Sequence, residues 1–150
     1  MANLPFTLEG QVVSGKQLGR KLGFPTANIA YDPAVSSFPA EGVYVASVTV
    51  CQDGQPCRTY PAILNQGSHP TAPGGPPTIE AHLLGYPADD SLYGLRITLT
   101  YLLYLRPERS FPSLDALQNQ LGKDREAAVA YAAEHPDCFS PIAYSKGANQ

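Results

Sequence analysis

The chain has 150 residues, ten Lys and Arg against thirteen Asp and Glu, and a formal net charge of −3. That length suits one domain with a real core, and the charge supplies no global basic field for nucleic acid. No apolar run reaches membrane-spanning length, and the opening MANLPFTLEG lacks the basic segment and apolar stretch of a signal peptide.

The 15 prolines and 13 glycines are spread along the chain and predict a mostly β domain with many loops. Residues 8–14, LEGQVVS, form a short strand centred on Val12 and Val13. A glycine-punctuated basic loop follows, with Gly15, Gly19 and Gly23 around Lys16, Arg20 and Lys21. Glycines let backbone N–H groups approach an anion, and the cations suit phosphate. Pro25 then biases the chain to extended geometry, so Thr26 and Asn28 share a face. Their hydroxyl and amide oxygens are hard ligands of the kind magnesium accepts.

Residues 30–42 read as an irregular connection packed through Phe38. Residues 43–51, VYVASVTVC, are the clearest strand, Asp53-Gly54 marks a hairpin turn, and 58–65 returns. Pro61 points to an edge or a bulge in that returning strand. Residues 66–77 form a loop long enough to be a flap, and 78–84 form a strand. In that strand Ile79, Ala81 and Leu83 face one way, and Thr78, Glu80, His82 and Leu84 the other. Asp89 and Asp90 belong to a solvated loop.

Residues 94–105 make the longest strand, ended by Pro107. Ser113 caps an amphipathic helix that carries Leu114, Leu117, Leu121 and Ala128 through about Ala133. The tail from His135 is expected to be irregular. These elements predict an antiparallel barrel of about six strands with one C-terminal helix, in a single domain with its core at about 8–133. The three cysteines are Cys51, Cys57 and Cys138. Cys51 and Cys57 flank a turn and could meet across a hairpin. An odd count, without CxxC or zinc spacing, favours reduced thiols in a cytoplasmic protein.

Gly10 to Lys16 nearly spells a Walker A motif, but Gln17 replaces its Ser or Thr and no helix follows. Glu80 is an acid in the middle of a strand, where acids are depleted. It reads either as a solvent-facing residue or as a general base on a rigid support, with His82 on its face. Arg106, Arg109 and Phe111, in LRPERSF, could clasp a planar or anionic ligand or could be ordinary surface.

The order GQVVSG, GRKLGFPTAN, GVYV, NQGSHPT, IEAHLL, LYG and LRPERSFPSLDAL is similar to the riboflavin kinase family. The resemblance runs from about Leu8 to Ala133. It implies a six-stranded Greek-key barrel and transfer of the ATP γ-phosphoryl to riboflavin, giving FMN. It also implies that Glu80 is the catalytic base and that Thr26 and Asn28 hold Mg2+ and touch the phosphates. Gly15, Arg20, Lys21, Leu83, Gly85 and Tyr93 fall to the nucleotide, and Arg106, Arg109 and Phe111 to the flavin. The expected partners are riboflavin, FMN, ATP and ADP, with no nucleic acid or membrane, in a cytoplasmic monomer.

Three positions depart from the family pattern. His69 stands for an arginine, Gln66 for an aliphatic residue and Gly85 for an acid, all expected in or near the nucleotide pocket. They leave open a regulatory domain that binds flavin or nucleotide without turnover. The adenylyltransferase module of bifunctional relatives is not seen, and Met1 directly before the domain favours a stand-alone kinase over a piece of a longer protein.

Overall fold

The computed structural model describes residues 2–13, 26–68, 76–87 and 92–139. The elements are β1 (Phe6–Val13), β2 (Thr26–Tyr31), β3 (Gly42–Val50), β4 (Arg58–Gly67), β5 (Thr78–Leu83), β6 (Arg96–Arg106) and α1 (Leu114–Glu134). A single 3-10 turn, Pro136–Phe139, follows in the expected irregular tail. The strands close an antiparallel barrel in the order β1-β2-β5-β4-β3-β6. β3, β4 and β5 are antiparallel neighbours in sequence order, while β2 returns beside β5 and β6 beside β3, which is Greek-key order.

Alternation along the strands sorts side chains into an interior and an outer set. In β1, Leu8, Gly10 and Val12 are buried between exposed neighbours. Gly10 is required by proximity, because a Cβ there would lie 2.6 Å from Ile29 Cγ2 and 2.7 Å from the Ala30 carbonyl oxygen. The interior also holds Ala46, Val48, Leu64, Ala81, Leu83 and Leu99. A second apolar cluster lies outside the barrel, where Val43, Val45, Ile63 and Leu84 pack with Ala128 of α1. β3 serves both clusters, so all nine of its residues are buried. An alternating sequence there therefore does not produce an exposed face.

Several expectations from sequence are corrected. β4 is not an edge strand, since it pairs with both β3 and β5. Pro61 is tolerated because it lies where the β5 ladder ends. Its carbonyl accepts from Leu84 N–H at 2.8 Å, and the N–H it lacks would point to that same side. Gln66, expected in or near the flap and nucleotide pocket, has a buried side chain. It points into the barrel, where Tyr101 O–H donates to its Oε1 at 2.6 Å and its Nε2 donates to the Pro39 carbonyl at 2.8 Å. Cys51 and Cys57 are not free thiols but a disulfide. Val50 and Arg58 are paired in the hairpin register, which places the adjoining cysteines with Cα atoms 4.2 Å apart. Cys138 is free and exposed. One support for a cytoplasmic location falls away with the reduced thiols.

α1 begins as the sequence predicts, with Ser113 Oγ accepting from Ala116 N–H at 3.1 Å. Its buried face is narrower than the leucine spacing suggests. Only Leu121, Asp124 and Ala128 are buried, while Leu114 is 61% exposed. Asp124 is held by Arg106 at the end of β6, whose Nε and Nη2 donate to its two carboxylate oxygens at 3.1 and 2.7 Å. This bidentate pair fastens the helix to the barrel. Among the described residues no helix is long and apolar enough to cross a membrane.

Removing one partner of such a pair leaves an uncompensated charge. Asp124→Ala is therefore expected to lower unfolding stability by about 3 kcal/mol, measured by urea titration. An exposed control such as Asp53→Ala should change it by less than about 0.5 kcal/mol.

Candidate active site

The barrel register lines up a row of outward residues across six strands. Val13 of β1 lies opposite Asn28 of β2, and Asn28 lies opposite Glu80 of β5. Glu80 lies opposite Asn65 of β4, Asn65 opposite Val43 of β3, and Val43 opposite Arg106 of β6. Directly opposed residues share a face, so a carboxylate stands between two amides on the outer wall. One step along the sheet, His82 stands opposite Ile63 and opposite the main chain of Thr26.

Glu80 opens onto a cleft of about 620 Å³ between the barrel wall and the start of α1. Its apolar wall includes Val43, Ile63, Phe111, Leu117 and Leu121. The half-buried Phe111 ring lies 5.7 Å from the Arg106 guanidinium carbon and 5.0 Å from that of Arg109. Both cations are also tied to α1. Arg106 binds Asp124, and Arg109 Nη2 donates to Gln120 Oε1 at 2.6 Å. Gln120 Nε2 in turn donates to Asp124 Oδ1 at 3.0 Å. The loop carrying Phe111 is thus held against the helix by a connected set of four polar side chains.

His82 Nε2 lies 3.7 Å from Glu80 Oε1. Burial lowers the His82 pKa to about 4, against a smaller upward pull from the Asp124 charge. The imidazole is therefore neutral near pH 7, and its contact with Glu80 is not an ion pair.

Glu80, Arg106, Arg109 and Phe111, singled out from sequence, all line this one cleft. Asn28 lines a smaller neighbouring hollow of about 350 Å³ with Val13, Pro77 and Thr78. Gly15, Arg20, Lys21, His69 and the side chain of Thr26 lie outside the described residues. The chain leaves β1 at Val13 and re-enters β2 at Thr26, beside Asn28 and Glu80. Leu83 does not present its side chain to a surface site, because it is 1% exposed in the barrel core. Gly85 and Tyr93 are exposed and do not line the cleft with Glu80. Gly85 has φ of 83°, a conformation that disfavours an acid with a Cβ, so this departure meets a turn's requirement.

The structure adds residues that sequence reasoning missed. Asn65 and Glu108 line the cleft, and Asp124 anchors Arg106 from behind. Asn65 shares the motif stretch NQGSHPT, which drew attention to its neighbours but not to it. For a divalent cation, the described residues hold no cluster of three His, Cys, Asp or Glu. The half-buried Asn28 offers one amide oxygen beside Glu80, which fits magnesium bound by few protein ligands and completed by phosphate and water.

Burial of a neutral His82 makes the fold acid-sensitive. The unfolded imidazole takes a proton near pH 6.5 and the folded one only near pH 4, so stability falls as pH drops through that window. Urea unfolding at pH 7.5 and 4.5 should differ by roughly 2–3 kcal/mol on this account, and His82→Gln should remove that part.

Comparison with known proteins agrees with this fold. The family model for riboflavin kinase matches residues 2–132. A bifunctional riboflavin kinase/FMN adenylyltransferase of Pseudomonas fluorescens is 40% identical over 130 residues, covering 86% of this chain and 39% of that protein. Its Escherichia coli K12 counterpart is 39% identical over 124 residues, covering 83% and 37%. The chain thus spans about two fifths of the length of these relatives. The solved riboflavin kinase of Trypanosoma brucei superposes with a TM-score of 0.62 at 26% identity, covering 89% of this chain and 80% of that one. On the matched motifs, the closed barrel and these relatives together, the chain belongs to the riboflavin kinase family.

Proposed function

We propose that the protein transfers the γ-phosphoryl group of ATP to the primary 5′-hydroxyl of riboflavin, giving FMN and ADP. The observation that carries this reading is Glu80, a carboxylate fixed in mid-strand, flanked by two amides and opening on a cleft with an apolar wall. Family membership supports the choice of substrates.

Phosphoryl transfer depends on positioning and charge neutralisation more than on covalent chemistry. The flavin ring would lie toward Phe111, Leu117 and Leu121, with its ribityl chain directed to Glu80. Glu80 accepts the proton of the 5′-hydroxyl as its oxygen bonds to phosphorus and the bond to the ADP oxygen breaks. A strand holds the base more firmly than a loop would, which favours in-line attack.

ATP is assigned to the side of Asn28, with Gly15, Arg20 and Lys21 as expected phosphate contacts. Thr26 and Asn28 would hold Mg2+, which when bound neutralises charge on the phosphate oxygens. Leu83 can contribute to a nucleotide only through its main chain, since its side chain is in the core. The roles of Gly85 and Tyr93 on the adenine side remain part of the proposal. In this reading a cytoplasmic location rests on the ATP substrate and not on the cysteines, and a monomer is part of the proposal.

Incubation with riboflavin and Mg-ATP, followed by separation of flavins, should yield FMN and ADP in equal amounts. Glu80→Gln should lower kcat by about 10²–10⁴-fold while the melting temperature is kept. Flavin binding with no FMN formed would remove the kinase reading and leave a binding domain. Equal turnover in Glu80→Gln would remove Glu80 as the base.

A further inference from the structure

Asn65 Oδ1 is buried without a hydrogen-bond partner, and it is the one such side-chain atom found among the described residues. Buried polar groups are normally paired, so an exception calls for a cause. The residue stands directly opposite Glu80 across β4 and β5, about 5 Å away at ordinary strand spacing, and it lines the same cleft. The nearby guanidinium groups are engaged elsewhere, Arg106 with Asp124 and Arg109 with Gln120. Val43, its neighbour on the other side, offers no side-chain donor. The amide thus sits on the cleft floor without protein hydrogen bonding at its oxygen.

We propose that Asn65 is a specificity-determining residue that hydrogen-bonds a secondary hydroxyl of the polyol chain whose terminal hydroxyl reaches Glu80. This rests on the kinase reading above. A strand spacing is close to the distance between a terminal hydroxyl and the one two carbons along an extended polyol. Rotation about the terminal torsion of Asn, which is soft and roughly two-fold, presents either its oxygen or its NH2 to the cleft. A hydroxyl both donates and accepts, so it satisfies either orientation. A polyol chain of defined hydroxyl pattern would be gripped at two points, one reacting and one read.

The test compares riboflavin with analogues lacking one secondary ribityl hydroxyl at a time, in wild type, Asn65→Leu and Asn65→Ala. Turnover gives kcat/KM, and quenching of flavin fluorescence without ATP gives Kd. Wild type should lose about 10- to 100-fold in kcat/KM on one analogue. The Asn65 variants should lose a similar factor on riboflavin and then no longer distinguish riboflavin from that analogue. A merely structural Asn65 would lower activity on every flavin by one common factor and preserve discrimination, and that result overturns the proposal. Melting temperatures separate these outcomes from misfolding, and Asn65→Ala serves if Asn65→Leu does not fold. If wild type binds flavins without turning them over, the kinase reading fails and the same comparison is read in Kd. If it binds none of them, both fall.

Discussion

The strict in-and-out alternation of a pleated strand, locked into one register by barrel closure, is the constraint on which this molecule depends. With no free edge, no strand can slip by one residue without turning its core face outward. The same lock carries Asn28, Glu80, Asn65, Val43 and Arg106 into one outward row from five different strands. Glu80 lies on the strand between two amides, and its inward neighbours Ile79 and Ala81 are part of the core. The geometry of the candidate site and the fold are therefore set by the same hydrogen bonds.

The second constraint is ionic. Arg106 ends the longest strand, and Asp124 lies in the middle of the helix, so their bidentate pair sets where the helix crosses the barrel wall. Gln120 extends the pair to Arg109, and both guanidiniums lie over the Phe111 ring. Arg106 was expected to hold flavin directly. With both carboxylate oxygens of Asp124 on it, its guanidinium is held against the helix and beside Phe111 while still lining the cleft.

Much of the fold was legible because alternation and turn chemistry are local. Val43 to Val50, Asp53-Gly54 and the Ser113 cap could each be read from a few neighbouring residues. What could not be read depended on pairing at a distance. In β4 both Ile63 and Leu64 are apolar, so the sequence leaves open which face is inner, and with it whether Asn65 or Gln66 enters the cleft. Asp124 looks like an ordinary helical surface charge until Arg106, eighteen residues earlier, is seen to bury it. Cys51 and Cys57 were recognised as neighbours, but adjacency alone does not set oxidation state. At the site, Glu80, Arg106, Arg109 and Phe111 stand out by residue type and position, the resemblance gives them roles, and the cleft that unites them comes from the register. Leu83 is the converse case, a motif position whose side chain lies in the barrel core.

The cleft is not a hole bored into one body but a seam between two, with barrel on one wall and the opening turns of α1 on the other. Leu114 stands in that seam at 61% exposure, an apolar surface awaiting a cover. Whatever fills the seam touches both walls and so acts as mortar. Occupancy then adds RT ln(1 + [L]/Kd) to the stability of the folded chain, and this gain should be concentrated where helix meets barrel. Helix docking and ligand capture become two views of one equilibrium, and a loosened helix would be felt first as a weaker grip on the ligand.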